Sequence, residues 1–206
     1  FAAAPARVVS LIVSDVPGDN PAFVASGPTI PDSSTPADAL AIVSRYGMIL
    51  PDAVMRHLAS EHAAAPKPGH PVFTNQQHHI IASAAVSLEA AAAKARTLVV
   101  EAVILSDAIE GEARDIGRMH AAIARETALR NRPFSKPVVI LSGGETTVTI
   151  AGDAYGKGGR NSEFLLSFAL DIDGVEGVHA LAADTDGIDG SEDNAGAFAD
   201  GLTISR

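Results

Sequence analysis

Short apolar runs alternate with amphipathic segments along most of this chain. The run Val8–Val13 is continuous and rich in β-branched residues, which is typical of a strand buried on both faces. Further strands are predicted at His79–Ser83, Val99–Leu105, Val138–Leu141, Thr146–Ile150 and His179–Ala183. Between these runs, apolar residues recur at helical spacing. Strands that alternate with helices predict an α/β fold with largely parallel, helix-covered sheets.

Helix signals and a proline-rich run divide the chain into two parts. Thr35 followed by Pro36 is typical of the start of a helix. The run Ala63–Pro71 is rich in proline and cannot continue a helix or a central strand, so it is the candidate domain boundary. We therefore expect two α/β domains, at residues 1–70 and 71–206.

Composition excludes several classes of function. The 206 residues carry a formal net charge of -10, contain no cysteine, and are 47% hydrophobic, which is enough for a sizeable core. The acidic balance argues against nucleic-acid binding, because phosphate contacts need clustered Lys and Arg. The lack of cysteine excludes thiolate zinc sites and is compatible with a reducing cytoplasm. The apolar start of the chain is too short to span a bilayer, so we expect no membrane partner.

Loops rich in glycine and carboxylates follow three of the predicted strands, where ligands gather in α/β sheets. In the first loop, Gly143 and Gly144 can present N–H groups to a phosphate, and Thr146 can add a hydroxyl. Glu145 could orient a metal-bound water or a substrate hydroxyl. A tight turn between two strands is the alternative interpretation.

The second loop, GKGGRN, leads into a predicted helix with the sequence SEFLLSFALDI. Free N–H groups at the helix start and the guanidinium of Arg160 favour an anion there. The candidate phosphate or nucleotide ligands beside Arg160 are Lys157, Gly158, Gly159 and Asn161. A flexible loop with solvated cations is the alternative. The residue order excludes both a Walker A loop and a GxGxxG fingerprint.

Aspartates are dense in the third loop, DTDGID, and recur in the loop SDVPGD after the first strand. Asp184, Asp186 and Asp189 are candidates to hold Mg²⁺, and one of them could act as a general base. Asp15 and Asp19 are candidates for binding substrate or metal. For both loops, a purely structural turn is the alternative, since Asp, Gly and Pro are typical turn residues.

Several motifs occur together in a specific order: SDVPGDNPAFVASGPTIPD, EGEARDIG, LSGGETTVTI, GKGGRNSEF and LAADTDGIDG. In this order they closely resemble the glycerate kinase family whose C-terminal region is called MOFRL. The resemblance extends from Val8 to about Gly196. Family members have also been labelled hydroxypyruvate reductases.

The resemblance implies an enzyme that uses ATP and Mg²⁺ to phosphorylate D-glycerate at the 2-hydroxyl, in a cleft between two α/β domains. It implies that Arg160 neutralises the transferring phosphoryl group. Asp186 would orient or deprotonate the glycerate hydroxyl, or bind Mg²⁺. D-glycerate and the nucleotide are the expected partners, with a homo-oligomer left open.

Relatives in this family continue upstream and downstream of the motifs quoted above. We therefore expect the chain to be a fragment, with a Rossmann-like first domain that is incomplete and a MOFRL-type second domain that is truncated at its end. Two alternatives stay open from the sequence: an NAD(P)-dependent hydroxypyruvate reductase, and a non-catalytic remnant that binds a nucleotide or an anion.

Overall fold

A computed structural model describes residues 2–150, 152, 156–191 and 193–206. The chain divides into two compact units, Phe1–Ser83 and Ala84–Arg206. The proline-rich run lies inside the first unit, so the domain boundary at residue 70 stays a prediction. Along the described residues, no helix is both long and apolar enough to cross a membrane.

The first unit contains one parallel strand pair and two α-helices. Strand β1 (Val8–Val13) pairs with β2 (Gln76–Ala82), while helices α1 (Pro36–Arg45) and α2 (Asp52–Leu58) lie between them in sequence. The predicted start of α1 is confirmed, because the Thr35 side chain accepts from the Asp38 N–H and the Asp38 side chain accepts from the Thr35 N–H.

Strand β1 is not buried on both faces as its sequence predicts. Val9, Leu11 and Val13 point to one face and are at least half exposed. Ser10 and Ile12 point to the other face, which is partly buried. A continuous apolar run specifies a strand, but which faces are covered depends on the elements that pack against it.

The second unit holds the remaining helices and strands. Helix α3 (Ala84–Thr97) leads to strand β3 (Glu101–Glu112), and α4 (Ala113–Arg130) connects β3 to its parallel partner β4 (Val138–Thr147). Helix α5 (Arg160–Asp171) precedes the antiparallel pair β5 (His179–Ala183) and β6 (Gly196–Asp200). The α/β fold class is confirmed, and β6 is a strand that the sequence analysis missed.

The two strands predicted at Val138–Leu141 and Thr146–Ile150 are one strand, β4. Residues 148–150 are not part of it. Gly143 and Gly144 lie inside this strand, so the interpretation of a tight turn between two strands is wrong. The pairing with β3 shifts register here, since Ser106 pairs with Ser142 but Ile109 pairs with Gly144. Such bulges are frequent next to functional sites, because they redirect side chains.

Helices α4 and α5 pack against each other in the core of the second unit. Phe168 of α5 and Ile172, which directly follows this helix, pack with Ala121 of α4 and with Val178, and all four are at least nine-tenths buried. The helices approach closely at Gly117, where a Cβ would lie 2.3 Å from the Phe164 carbonyl oxygen. This packing fixes α5, whose first residue is Arg160.

Candidate functional site

Arg160 joins the ends of two strands through its guanidinium. As the first residue of α5, it donates from Nη2 to Asp184 Oδ2 at 2.8 Å and from Nη1 to Glu145 Oε2. Glu145 lies near the carboxyl end of β4, and Asp184 directly follows β5. The structure therefore brings together three of the residues that the sequence predicts for the site.

The cluster of Arg160, Glu145 and Asp184 is partly open to solvent. The exposed fractions of the side chains are 37% for Arg160, 40% for Glu145 and 16% for Asp184. Partial burial by itself lowers the pKa of the guanidinium, but the hydrogen bond to Asp184 and the two carboxylate charges outweigh it and raise that pKa. Arg160 is therefore a permanent cation between two acidic side chains, at a position that a small polar ligand can reach.

Asp189 is fully buried and caps the start of α5 from a distance of 28 residues in sequence. Its Oδ1 accepts from the Asn161 backbone N–H at 2.9 Å and from Asn161 Nδ2 at 3.2 Å. Its Oδ2 accepts from the Ser162 backbone N–H at 2.8 Å and from the Ser162 hydroxyl. Burial by itself raises the pKa of this carboxyl, but the hydrogen bonds from Ser162 and Asn161 outweigh it and lower that pKa.

The helix N–H groups that the sequence analysis expected to be free for an anion are already paired. Those of Asn161 and Ser162 donate to Asp189. The N–H of Glu163 donates to the Gly159 carbonyl at 3.0 Å. Among the described residues, none accepts a hydrogen bond from the N–H of Gly158 or Gly159. The N–H groups of Gly158, Gly159 and Arg160 are therefore backbone donors at this helix start to which the described residues offer no acceptor.

Two loops touch through their backbones beside this cap. A Cβ on Gly159 would lie 2.3 Å from Asp189 Oδ1, and a Cβ on Gly190 would lie 2.6 Å from the Gly158 carbonyl oxygen. Gly190 also has a φ of +67°, which favours glycine. Glycine at these positions thus permits the close approach that lets Asp189 reach α5.

Gly143 and Gly144 are enclosed by neighbouring elements. A Cβ on Gly143 would lie 3.3 Å from Ala84 Cβ of α3, and one on Gly144 would lie 2.1 Å from the Ile109 carbonyl oxygen of β3. Packing therefore accounts for both glycines, and their role as phosphate ligands stays a prediction.

Buried His120 of α4 forms a hydrogen bond with Ser142, the residue that precedes Gly143 and Gly144. Its Nδ1 lies 2.9 Å from the Ile116 carbonyl oxygen, which can only accept, so Nδ1 carries a proton. Its Nε2 lies 2.9 Å from the Ser142 hydroxyl. Sequence reasoning missed His120, because a single histidine within a helix carries no motif.

The end of β4 is tied to the end of β3 by Glu112. This carboxylate accepts from the Thr149 N–H at 3.1 Å, from the Thr149 hydroxyl at 2.6 Å and from the Thr147 hydroxyl at 3.1 Å. These bonds, led by the one from the Thr149 hydroxyl, lower its pKa. Thr146 pairs with Gly111 in the sheet. Sequence reasoning missed this role of Glu112, because its partners Thr147 and Thr149 lie 35 and 37 residues away in sequence.

Asp186 and Lys157 are two exposed members of the predicted set. Asp186 Oδ1 accepts from the Ile188 N–H at 2.9 Å, which forms a local turn. Within residues 2–150, 152, 156–191 and 193–206, no group of three His, Cys, Asp or Glu side chains is arranged to hold a metal ion. A metal here would thus need ligands from a bound substrate or water, as is usual for Mg²⁺.

Asp15 and Asp19 lie in the first unit, after β1. Asp15 is exposed, and Asp19 adopts a φ of +52°, with its N–H donating to the Val16 carbonyl at 3.0 Å. Within residues 2–83, no group donates a hydrogen bond to either carboxylate. Their role in binding substrate or metal stays a prediction.

The fold and this cluster define a class: an α/β domain with an arginine at a helix start, flanked by carboxylates at two strand ends. Residues 138–206, which contain the whole cluster, match the MOFRL family. Residues 1–59 match a domain of unknown function, DUF4147. Together with the relatives below, these matches confirm the resemblance to glycerate kinases with a MOFRL region.

Relatives match nearly the whole chain. A D-glycerate 2-kinase of Thermotoga maritima is 40% identical over 97% of this chain and 46% of its own length. A protein of Agrobacterium vitis, named provisionally as a hydroxypyruvate reductase, is 48% identical over 98% of this chain and 51% of its own length. The crystal structure of a Thermotoga maritima glycerate kinase aligns with a TM-score of 0.82 at 38% identity, covering 98% of this chain and 47% of that one. The chain thus spans about half the length of the curated relatives it matches.

Proposed function

We propose that this chain contributes the phosphoryl-transfer site of a kinase that phosphorylates D-glycerate with ATP to give 2-phosphoglycerate. One observation carries the proposal: Arg160 is held between Glu145 and Asp184 at the strand ends of a domain that matches the MOFRL family. Relatives named D-glycerate 2-kinase and glycerate 2-kinase, at 40% and 42% identity, support this substrate and product.

Arg160 would stabilise the charge of the transferring phosphoryl group. It uses two N–H groups for the carboxylates, and its other donors stay available for phosphate oxygens. The N–H groups of Gly158 and Gly159 would add neutral donors beside it, with Lys157 in the same loop. Because this cation and these donors are held in place before the reaction, they can act on charge as it develops.

In the proposed step, the 2-hydroxyl oxygen of glycerate bonds to the γ-phosphorus, and the bond from that phosphorus to the β–γ bridging oxygen breaks, releasing ADP. Asp186 would accept the hydroxyl proton, since its carboxylate is exposed at the end of β5. The carboxylate oxygens of Asp184 and Asp186 are ligands of the kind that Mg²⁺ prefers, and a bound Mg²⁺ would neutralise phosphate charge. Glu145 would keep Arg160 oriented. We expect the protein to act in the cytoplasm.

A second candidate activity has one observation in its favour. The relative from Agrobacterium vitis carries a hydroxypyruvate reductase name at 48% identity. This chain has no dinucleotide fingerprint after a strand, which weakens that candidate. The alternative to both enzymatic activities is a protein that binds a nucleotide or an anion without catalysing a reaction.

A parallel assay of the full-length protein separates these functions. One arm contains ATP, Mg²⁺ and D-glycerate, with the product identified by phosphorus NMR, and the other contains NAD(P)H and hydroxypyruvate. We expect a 2-phosphate ester in the first arm and no oxidation of the nicotinamide in the second. Release of ADP without a glycerate ester would contradict the proposal. Asp186→Ala should lower kcat by about 100-fold, as loss of a comparable polar group does.

A further inference from the structure

The first turn of α5 has no cap of its own. Gly159 occupies the N-cap position without a side chain, so the first N–H groups of the helix need an acceptor from elsewhere. Asp189 provides it, from the loop that follows β5. The cap thus connects the helix that carries Arg160 with the loop that carries Asp184.

The oxygens of Asp189 have little capacity left for another ligand. A carboxylate offers about four lone-pair positions, and Asp189 receives four hydrogen bonds, two at each oxygen. The residue has no exposed surface. A metal ion or a substrate would have to displace Asn161 or Ser162 to reach this carboxylate.

We propose that Asp189 is a positioning residue, which acts through Arg160 and neither binds Mg²⁺ nor touches substrate. By holding the N–H groups of Asn161 and Ser162, it sets where α5 begins and so where the guanidinium of Arg160 lies. Asp184, five residues earlier, is thereby presented to that guanidinium. This inference rests on the proposed kinase function, and it replaces the prediction that Asp189 is a metal or substrate ligand.

One measurement tests the position of the helix start without any activity. Hydrogen–deuterium exchange of peptides covering residues 158–165 should be at least about tenfold faster in Asp189→Asn than in the wild type, because the amide presents a donor in place of one acceptor. Asp171→Asn is the matched control at the other end of α5, where the side chain is 43% exposed. It should exchange like the wild type in this segment. Unchanged exchange in Asp189→Asn would overturn the inference.

A double-mutant cycle tests whether Asp189 acts through Arg160. In the full-length protein, Asp189→Asn should lower kcat by about 10- to 100-fold, as small misplacements of reacting groups do. In an Arg160→Ala background the same change should have almost no further effect. Equal effects in both backgrounds would indicate a general structural role and contradict the inference.

The Mg²⁺ requirement separates positioning from metal binding. The Mg²⁺ concentration for half-maximal activity should be the same in Asp189→Asn and the wild type, whereas loss of a metal ligand would raise it at least about tenfold. If Asp189→Asn does not fold, Ser162→Ala removes one donor of the same network and should change exchange and kcat in the same direction, to a smaller extent. A wild type without kinase activity would refute the proposed function, while the exchange experiment would still decide the position of the helix start.

Discussion

Two loops of similar composition each follow a strand, SDVPGD after β1 and DTDGID after β5. Each combines aspartate with glycine, and each was a candidate for metal or substrate. In the second loop, Asp184 pairs with Arg160 and Asp189 accepts four hydrogen bonds from α5. In the first loop, no group within residues 2–83 donates to Asp15 or Asp19.

The difference lies in what other elements bring to each loop. Asp and Gly after a strand specify a turn in both places. After β5, a second element, the start of α5, supplies a guanidinium and backbone donors, whereas after β1 the described residues of the first unit supply neither. The comparison teaches that the partners of a carboxylate, and not the density of carboxylates in sequence, define a charged cluster.

The largest expected effect is on kcat, and it should follow from removing Arg160, the shared partner of Glu145 and Asp184. Arg160→Ala should lower kcat by about 100- to 1000-fold, because it removes a preorganised cation and leaves two carboxylates facing each other. Arg160→Lys should recover part of the rate, since an ammonium keeps the charge but cannot bridge both acids. Steady-state kinetics with D-glycerate and ATP measure both.

Arg118→Ala is the matched control for this prediction. Its side chain is 67% exposed and lies 3.6 Å from Asp171, so its removal should leave kcat unchanged. The comparison between the loops would fail if the double variant Asp15→Asn, Asp19→Asn lost as much activity as Arg160→Ala.

The second-largest expected difference between the two loops is in the free energy of unfolding of their aspartate variants. Asp189→Ala should lower the free energy of unfolding by about 2 to 3 kcal/mol, because it leaves several partly buried donors of Asn161 and Ser162 without an acceptor. Asp15→Ala should change it by less than about 0.5 kcal/mol, as expected for an exposed side chain. Urea denaturation followed by circular dichroism measures both variants. Similar losses would show that burial of Asp189 is not what stabilises its loop.

Gly159, which contacts Asp189, and Gly18, which lies in the loop after β1, give a smaller contrast. Gly159 has an extended φ of -152°, so Gly159→Ala is opposed only by the close contact with Asp189 and should cost about 2 kcal/mol. Gly18 has open space around a Cβ but a φ of +80°, so Gly18→Ala should cost about 1 kcal/mol of backbone strain. Thermal unfolding compares them. Gly18→Asn should recover part of its loss, whereas a larger side chain at Gly159 should increase the loss.

Local patterns predicted much of this architecture. The helix start at Thr35 and Pro36 and the helix that follows GKGGRN were recognisable, because the residues that specify them lie within a few positions of each other. The clustering of Glu145, Arg160 and Asp184 also followed from the rule that ligands gather at strand ends. Each of these predictions depends on short-range spacing or on a general rule of α/β folds.

Contacts between distant segments could not be predicted in the same way. Asp189 caps a helix that begins 29 positions earlier at Arg160, so local capping rules expected free N–H groups where none remain at Asn161 and Ser162. The glycine pair in β4 suggested a turn, because the enclosing contacts come from α3 and β3. Both errors arose where tertiary packing overrides a local signal.

The smallest expected effect is the pH dependence of the stability that Asp189 contributes. It tests whether the negative charge of Asp189, and not only its burial, stabilises the start of α5. The pKa of Asp189 is lowered in the folded protein, so its contribution to stability is fully present above the ordinary value of 3.8 and is lost as pH falls through the lowered folded value. The stability difference between the wild type and Asp189→Asn should therefore be constant from pH 7 to about pH 5 and shrink below about pH 4. Urea titrations at a series of pH values measure it, with Asp171→Asn as a control for general charge effects. A difference that stays constant down to pH 3 would mean that the hydrogen bonds to Asp189 do not depend on its charge.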